Sequence, residues 1–311
     1  MAGRRRKKSG GRSYAWRYRG RIVACVFVEV IIICALVIMI GWNKGVKEWF
    51  EQFEQPVLKE VDISGINSPN AILMQARGGK ILGEINGEAQ IYPASMTKIM
   101  TVILGIENFD DLDEKITLTD EMFSGLYEQD ATQAGFQPGE EVRVIDLLYG
   151  AMLPSGAECC IALADTISGS EADFAELMNK KARKLGMENT HFCDSTGLHN
   201  PDHYSTVKDI AVLMKYCIKN DTFREIVETS RHSTGVTNIH PDGITYYSTM
   251  FKNLSDPTVT GGKILGGKTG YTSEAGHCLV SFAEIEGREY IFVSAGASGA
   301  DGNTIPHIQD A

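Results

Sequence analysis

Strand-like runs at the two ends of residues 69–311 enclose a long stretch that reads as helix, and that order restricts the fold more than any other feature of the chain. Ala71–Ala76 and Lys80–Ile85, joined through Gly78-Gly79, read as a β-hairpin. Strand-like runs return only at Lys263–Gly267, His277–Glu284 and Tyr290–Ala295. Between them a helix is expected over 96–107, with Ile99, Val102, Ile103 and Ile106 on its buried side. Further helices are expected at Asp146–Leu153, Ala157–Ile167, Ala172–Leu185 and Thr206–Lys219, with Thr206 and Asp209 forming a capping box. This order predicts an α+β domain: an antiparallel sheet flanked by helices, with a helical subdomain inserted into it.

Residues ahead of that domain have a different character. Residues 1–21 carry nine basic side chains and no acid, and since the whole chain is formally −10, the remainder is about −19. So acidic a remainder argues against nucleic acid as a partner. Ile22 to Ile40 is apolar except for Glu29, a run of roughly 30 Å as a helix, the thickness of a bilayer core. The basic flank on its N-terminal side predicts a single-pass anchor over 22–41, with residues 1–21 cytoplasmic and the rest outside the cell membrane. No clear cleavage site follows the run, so the anchor is expected to stay attached. Residues 42–68 read as a stalk, with Val46, Trp49, Phe50 and Phe53 along one helical stripe.

The seven cysteines are irregularly spaced and contain no C-x-x-C pair, which favours small buried apolar residues over a disulfide framework or a zinc ribbon. His199 and His203 are four apart but flank Asn200-Pro201, so no metal site is expected, and no cofactor.

Two short motifs about 170 residues apart carry chemistry: Ser95-Met96-Thr97-Lys98 and Lys268-Thr269-Gly270. S-x-x-K alone is weak, since about one is expected by chance in such a length, and this chain has a second at Ser205–Lys208. On a helix, residues three apart share a face, so a lysine kept partly neutral by burial can take the serine proton. Ser95 opens a strongly apolar helix after Pro93-Ala94, whereas Ser205 stands before a polar helix start and is explained by capping. K-T-G is much rarer; it reads as a strand edge where Lys268 and Thr269 bind a carboxylate and Gly270 admits a substrate backbone. Ser155-Gly156-Ala157 falls between the two.

With these motifs the chain resembles the low-molecular-mass penicillin-binding proteins, the serine D-Ala-D-Ala carboxypeptidases, which carry S-x-x-K, a central S-D-N type motif and K-T-G. The likeness extends through Asn86-Gly87, Pro93 to Thr101, Leu153-Pro154-Ser155-Gly156, Asn189 to Phe192, Gly197-Leu198-His199, His203 to Thr206, and Gly267 to Thr272 with Glu274-Ala275-Gly276. It implies a β-lactamase/penicillin-binding-protein-like fold over 69–311. It further implies Ser95 as nucleophile, Lys98 as its base and Ser155 as a proton relay to the leaving amine. Lys268, Thr269, Gly270 and Tyr271 would line the substrate site, with the N–H groups of Ser95 and Tyr271 as oxyanion hole. The implied substrate is the D-Ala-D-Ala end of a peptidoglycan stem peptide, and β-lactams are the implied covalent inhibitors.

Departures from that family accompany the likeness. Ala157 stands where the central motif usually has asparagine, and Pro306–Ala311 reads as the start of a last helix, so the chain is expected to be truncated there. Two other readings follow: a catalytically weak wall-binding or scaffolding protein, and a β-lactamase. The second needs a glutamate that activates water, and Glu171 lacks a convincing E-x-x-x-N setting.

Overall fold

The structure is a computed structural model that describes residues 60–254, 256–299 and 305–311. The basic segment, the apolar run Ile22 to Ile40 and most of the stalk lie outside the described residues. Among the described residues no helix is long and apolar enough to cross a membrane.

Strands β1 (Asn70–Gln75) and β2 (Ile81–Ile85) form the expected hairpin. A 3₁₀ turn at Ala94–Thr97 leads directly into α1 (Lys98–Asn108). The small hairpin of β3 (Lys115–Thr117) and β4 (Glu141–Arg143) precedes α2 (Val144–Met152), α3 (Ala157–Ser168), α4 (Glu171–Leu185) and α5 (Val207–Cys217). Helix α6 (Asp221–Glu228), the hairpin β5 (Arg231–Ser233) and β6 (Thr245–Tyr247), and the short α7 (Thr249–Asn253) follow. The chain closes with β7 (Thr258–Val259), β8 (Gly262–Thr272), β9 (Gly276–Ile285), β10 (Arg288–Ala297) and α8 (Pro306–Gln309).

The main sheet is antiparallel with strand order β2-β1-β10-β9-β8-β7, so the first and last long runs pair in its middle, Ile72 opposite Val293. The helical segment enters between β2 and β7, as the strand–helix–strand order predicts. Helix α1 is its axis: every residue from Lys98 to Gly105 is buried. A Cβ on Gly105 would sit 2.7 Å from Leu148, which explains how closely α2 lies against α1. Alternation along β9 sends Cys278, Val280 and Phe282 into the main core and Leu279 into a second cluster with Met250, Ile264 and Ile308. The sheet is therefore covered on both faces at β9.

Several expected boundaries move for physical reasons. The strand expected to end at Gly267 runs on to Thr272, so K-T-G lies within β8. Glycines weaken the strand signal, yet here they are required: a Cβ on Gly266 would meet Val227 O at 2.3 Å, and one on Gly267 would meet Val280 O at 2.4 Å. Ser205 is not a helix cap. Thr206 caps α5, its Oγ1 accepting from Asp209 N at 3.0 Å. The reciprocal half of the expected capping box is absent, because Asp209 Oδ2 accepts from Asn189 N and Thr190 Oγ1 instead. Ser205 Oγ lies 2.8 Å from Thr190 Oγ1 and Lys208 pairs with Glu88, so the second S-x-x-K is structural.

Candidate active site

The site forms where the 3₁₀ turn meets the far end of β8. Ser95 lies in that turn and Lys98 is the first residue of α1, which brings Lys98 Nζ to 3.0 Å from Ser95 Oγ. Ala94 adopts φ +47°, a left-handed conformation that costs a non-glycine residue about 1–3 kcal/mol. The turn is held from two sides. A Cβ on Gly197 would fall 1.9 Å from Ala94 O, so only glycine lets the 194–197 loop pass there, and it does so at φ +78°. Gly270 does the same from β8: its Cβ would lie 3.0 Å from Ser95 N and 3.2 Å from Pro93 O. Gly270 thus admits the turn that carries Ser95, beyond the substrate backbone expected from sequence.

Lys98 is 3% exposed. Burial pulls its pKa down, against the pull of nearby acidic groups and thiols, and so favours the neutral amine that a base must be. Its second partner is Thr196 O, at 2.6 Å. Lys268, also buried, is pushed well below the ordinary lysine range by burial first and by the neighbouring Lys98 second. Its Nζ donates to Thr269 O at 2.9 Å. Thr269 Oγ1 is 2.6 Å from Thr249 Oγ1 at the start of α7, and Tyr271, two residues further along the strand, is exposed.

Ser155 is 6% exposed, sits at φ +73°, and its Oγ has no hydrogen-bond partner among the described residues. A buried hydroxyl without a partner is costly, which singles the group out. Its motif is fixed by the backbone and by Glu158: Ala157 N donates to Thr132 O at 2.8 Å, and Glu158 Oε1 accepts from Ala134 N at 2.6 Å and Gly135 N at 3.0 Å. Ala157 itself, 1% exposed, offers no polar side-chain atom to Lys98.

Sequence reading missed the groups behind the turn. His203 Nε2 is 2.9 Å from Thr97 Oγ1, and its Nδ1 is 3.3 Å from Asp194 Oδ2. Burial alone would raise the Asp194 carboxyl, but His203, Thr196 and Gly197 hold it down to about 2. His203 therefore braces the turn that carries Ser95, and His199 instead meets Tyr92 edge-on, with ring centroids 4.8 Å apart. Both oxygens of Glu171 are engaged by Ser195, from N at 3.0 Å and from Oγ at 2.7 Å. No run of adjacent residues signals the Thr97–His203 and Glu171–Ser195 pairings, which join positions 106 and 24 apart in sequence.

A family model described as D-alanyl-D-alanine carboxypeptidase matches residues 57–299. The chain belongs to the D-alanyl-D-alanine carboxypeptidase family. It is 35% identical to D-alanyl-D-alanine carboxypeptidase DacF of Bacillus subtilis (strain 168) over 74% of this chain and 57% of that protein. It is 33% identical to D-alanyl-D-alanine carboxypeptidase DacC of Escherichia coli (strain K12), over 76% and 58%. The chain thus spans less than two thirds of the length of these relatives. Among solved structures, the Streptomyces K15 DD-transpeptidase superposes with a TM-score of 0.71 at 28% identity, covering 80% of this chain and 97% of that one. Penicillin binding protein 5 from Haemophilus influenzae gives 0.69 at 27% identity, over 80% and 71%. These neighbours share the penicillin-binding-protein fold expected from sequence.

Proposed function

We propose that this chain hydrolyses the terminal D-Ala-D-Ala bond of peptidoglycan stem peptides through an acyl-enzyme on Ser95. The observation that carries this is Lys98 Nζ at 3.0 Å from Ser95 Oγ, on a lysine whose burial favours the neutral amine. Ser95 Oγ attacks the carbonyl of the scissile bond while Lys98 takes its proton. The N–H groups of Ser95 and Tyr271 receive the oxyanion. The intermediate collapses, the leaving D-alanine amine collects a proton through Ser155, and water then cleaves the ester to free the shortened peptide. Lys268 and Thr269 hold the terminal carboxylate, and Gly270 keeps β8 against the nucleophile. β-lactams enter by the same attack on Ser95. Residues 69–311 are the peptidase domain, placed outside the cell membrane by the 22–41 anchor, with residues 1–21 cytoplasmic and 42–68 as stalk.

Intact-mass spectrometry of the purified full chain with penicillin tests this. One persistent adduct that maps to Ser95 and is absent from Ser95→Ala is expected. Incubation with an acyl-D-Ala-D-Ala peptide should release D-alanine. A folded protein that takes no adduct and releases none would instead favour a wall-binding protein in which Ala157 has weakened the site. Rapid release of hydrolysed β-lactam would favour a β-lactamase. Because one structural neighbour carries the name DD-transpeptidase, an amine acceptor belongs in the same assay: a new peptide product would mark transfer beside hydrolysis.

A further inference from the structure

A neutral lysine amine has two N–H groups and one lone pair. To serve as base, that lone pair must face the Ser95 hydroxyl proton, so the N–H groups must be directed elsewhere. The Thr196 carbonyl accepts one at 2.6 Å. The orientation of the base therefore depends on the orientation of one peptide group, and that peptide lies in the 194–197 loop, outside any strand or helix.

Two carboxylates and a hydroxyl fix this loop. Asp194 Oδ1 accepts from Thr196 N and Oγ1 at 2.8 and 2.7 Å and from Gly197 N at 2.7 Å. On the other side, Glu171 reaches from the first residue of α4 to Ser195, accepting from its N and Oγ. Ser195 O in turn accepts from Thr101 Oγ1 at 2.6 Å, and Thr101 lies on α1 three residues beyond Lys98. Ser195 and Thr101 are fully buried, so the bond between them does not compete with water. Three successive peptides are thus held: Asp194–Ser195 at its N–H by Glu171, Ser195–Thr196 at its carbonyl by Thr101 and at its N–H by Asp194, and Thr196–Gly197, whose carbonyl meets Lys98, at its N–H by Asp194. Ala157 supplies no polar atom that could hold the amine in its place.

We propose that Glu171 is a positioning residue for acylation: by anchoring Ser195 it fixes the 194–197 loop, and with it the Thr196–Gly197 peptide whose carbonyl turns the Lys98 amine toward Ser95. This rests on Lys98 acting as the base for Ser95.

The test is the rate of acylation by a fluorescent penicillin, measured across pH for the full-length native protein, Glu171→Ala, Glu171→Gln and Thr101→Val, with folding checked by circular dichroism. Glu171→Ala should lose about 10- to 100-fold in plateau acylation rate, the cost of a misplaced base. The concentration dependence should change by less than about 3-fold, because substrate contacts are untouched. Its acid limb should move to lower pH, since a displaced Thr196 carbonyl no longer favours the ammonium. Glu171→Gln keeps an acceptor for Ser195 N and should return to within about 5-fold of native. Thr101→Val removes the opposite grip and should shift the same limb. Folded Glu171→Ala with the native plateau and limb overturns the proposal, and so does Glu171→Gln as impaired as Glu171→Ala. If Glu171→Ala does not fold, an unshifted limb in Thr101→Val overturns it. A native protein that takes no probe removes the acyl-enzyme proposal, and this one with it.

Discussion

As the proposed base, Lys98 carries the most demanding physical requirement in the molecule. In that role it must be buried enough to lose its proton and close enough to Ser95 to accept another. Arginine in its place would stay charged at any working pH, because a guanidinium does not release its proton in proteins. Lys98→Arg is therefore expected to lower the rate of β-lactam acylation by about 10²-fold or more, the usual contribution of a general base. The native rate should rise with pH and level off below the ordinary lysine value of 10.5, because burial has lowered the pKa of Lys98. A pH–rate profile of adduct formation checks both; a Lys98→Arg protein that acylates at the native rate would exclude Lys98 as base. At this scale the Ser95–Lys98 pair was legible because three residues on a helix bring two side chains onto one face. Thr196, Asp194, His203 and Glu171 were not legible, since their contacts exist only once α1, α4 and the 194–197 loop are assembled.

At the scale of elements, the site is a contact between a turn and a strand, and its tolerance is set by glycine. A methyl at position 270 would lie 3.0 Å from Ser95 N and 3.2 Å from Ala94 Cβ, tighter than ordinary packing. Either β8 withdraws or the 3₁₀ turn shifts, and each moves Ser95 relative to Lys268 and Thr269. Gly270→Ala should lower acylation by about 10- to 100-fold, the penalty of sub-ångström to ångström misplacement, while the melting temperature falls by no more than about 2–4 °C. Thermal unfolding and adduct kinetics on the same preparation separate the two effects, and acylation at the native rate would refute the close-contact account. The long elements were readable because their apolar periodicity persists over several turns or strand pairs. The hairpin β5–β6 was missed because its strands are three residues each and largely polar. It is held instead by tertiary bonds: Asp146, buried on α2, accepts from Arg143 and from His232, whose ring stacks 3.7 Å over Tyr149. No local pattern announces such an element.

At the scale of the whole molecule, the sheet is closed by its ends. Strand β1 pairs with β10, and Asp310, just past α8, accepts from Asn67 N at 2.7 Å and from Ser68 N and Oγ at 3.0 and 2.6 Å. His307 on α8 is buried at this closure, stacked on His277 of β9 with ring centroids 4.9 Å apart, and its Nδ1 has no partner among the described residues. Burial and then the neighbouring His277 push its pKa down to about 4, against a weaker upward pull from Asp310. An unfolded chain takes up that proton near 6.5, so between those values the unfolded state holds more protons than the folded one. Stability must then rise with pH across that interval and fall as the solution is acidified. The full difference corresponds to about 3 kcal/mol at most, reduced by whatever water reaches the ring. His307→Phe, which keeps an aromatic ring on His277 without a titrating nitrogen, should flatten this part of the profile. Urea unfolding at a series of pH values from 4 to 7 measures it: the native slope should exceed that of the variant, and equal slopes would place the acid sensitivity elsewhere. Tyr271, near the end of β8, lies tilted against the same His277, their ring centroids 4.6 Å apart. The closure of the sheet and the rim of the active site are thus one aromatic row, Tyr271–His277–His307, and acid that loosens α8 acts at the strand end that carries the K-T-G motif.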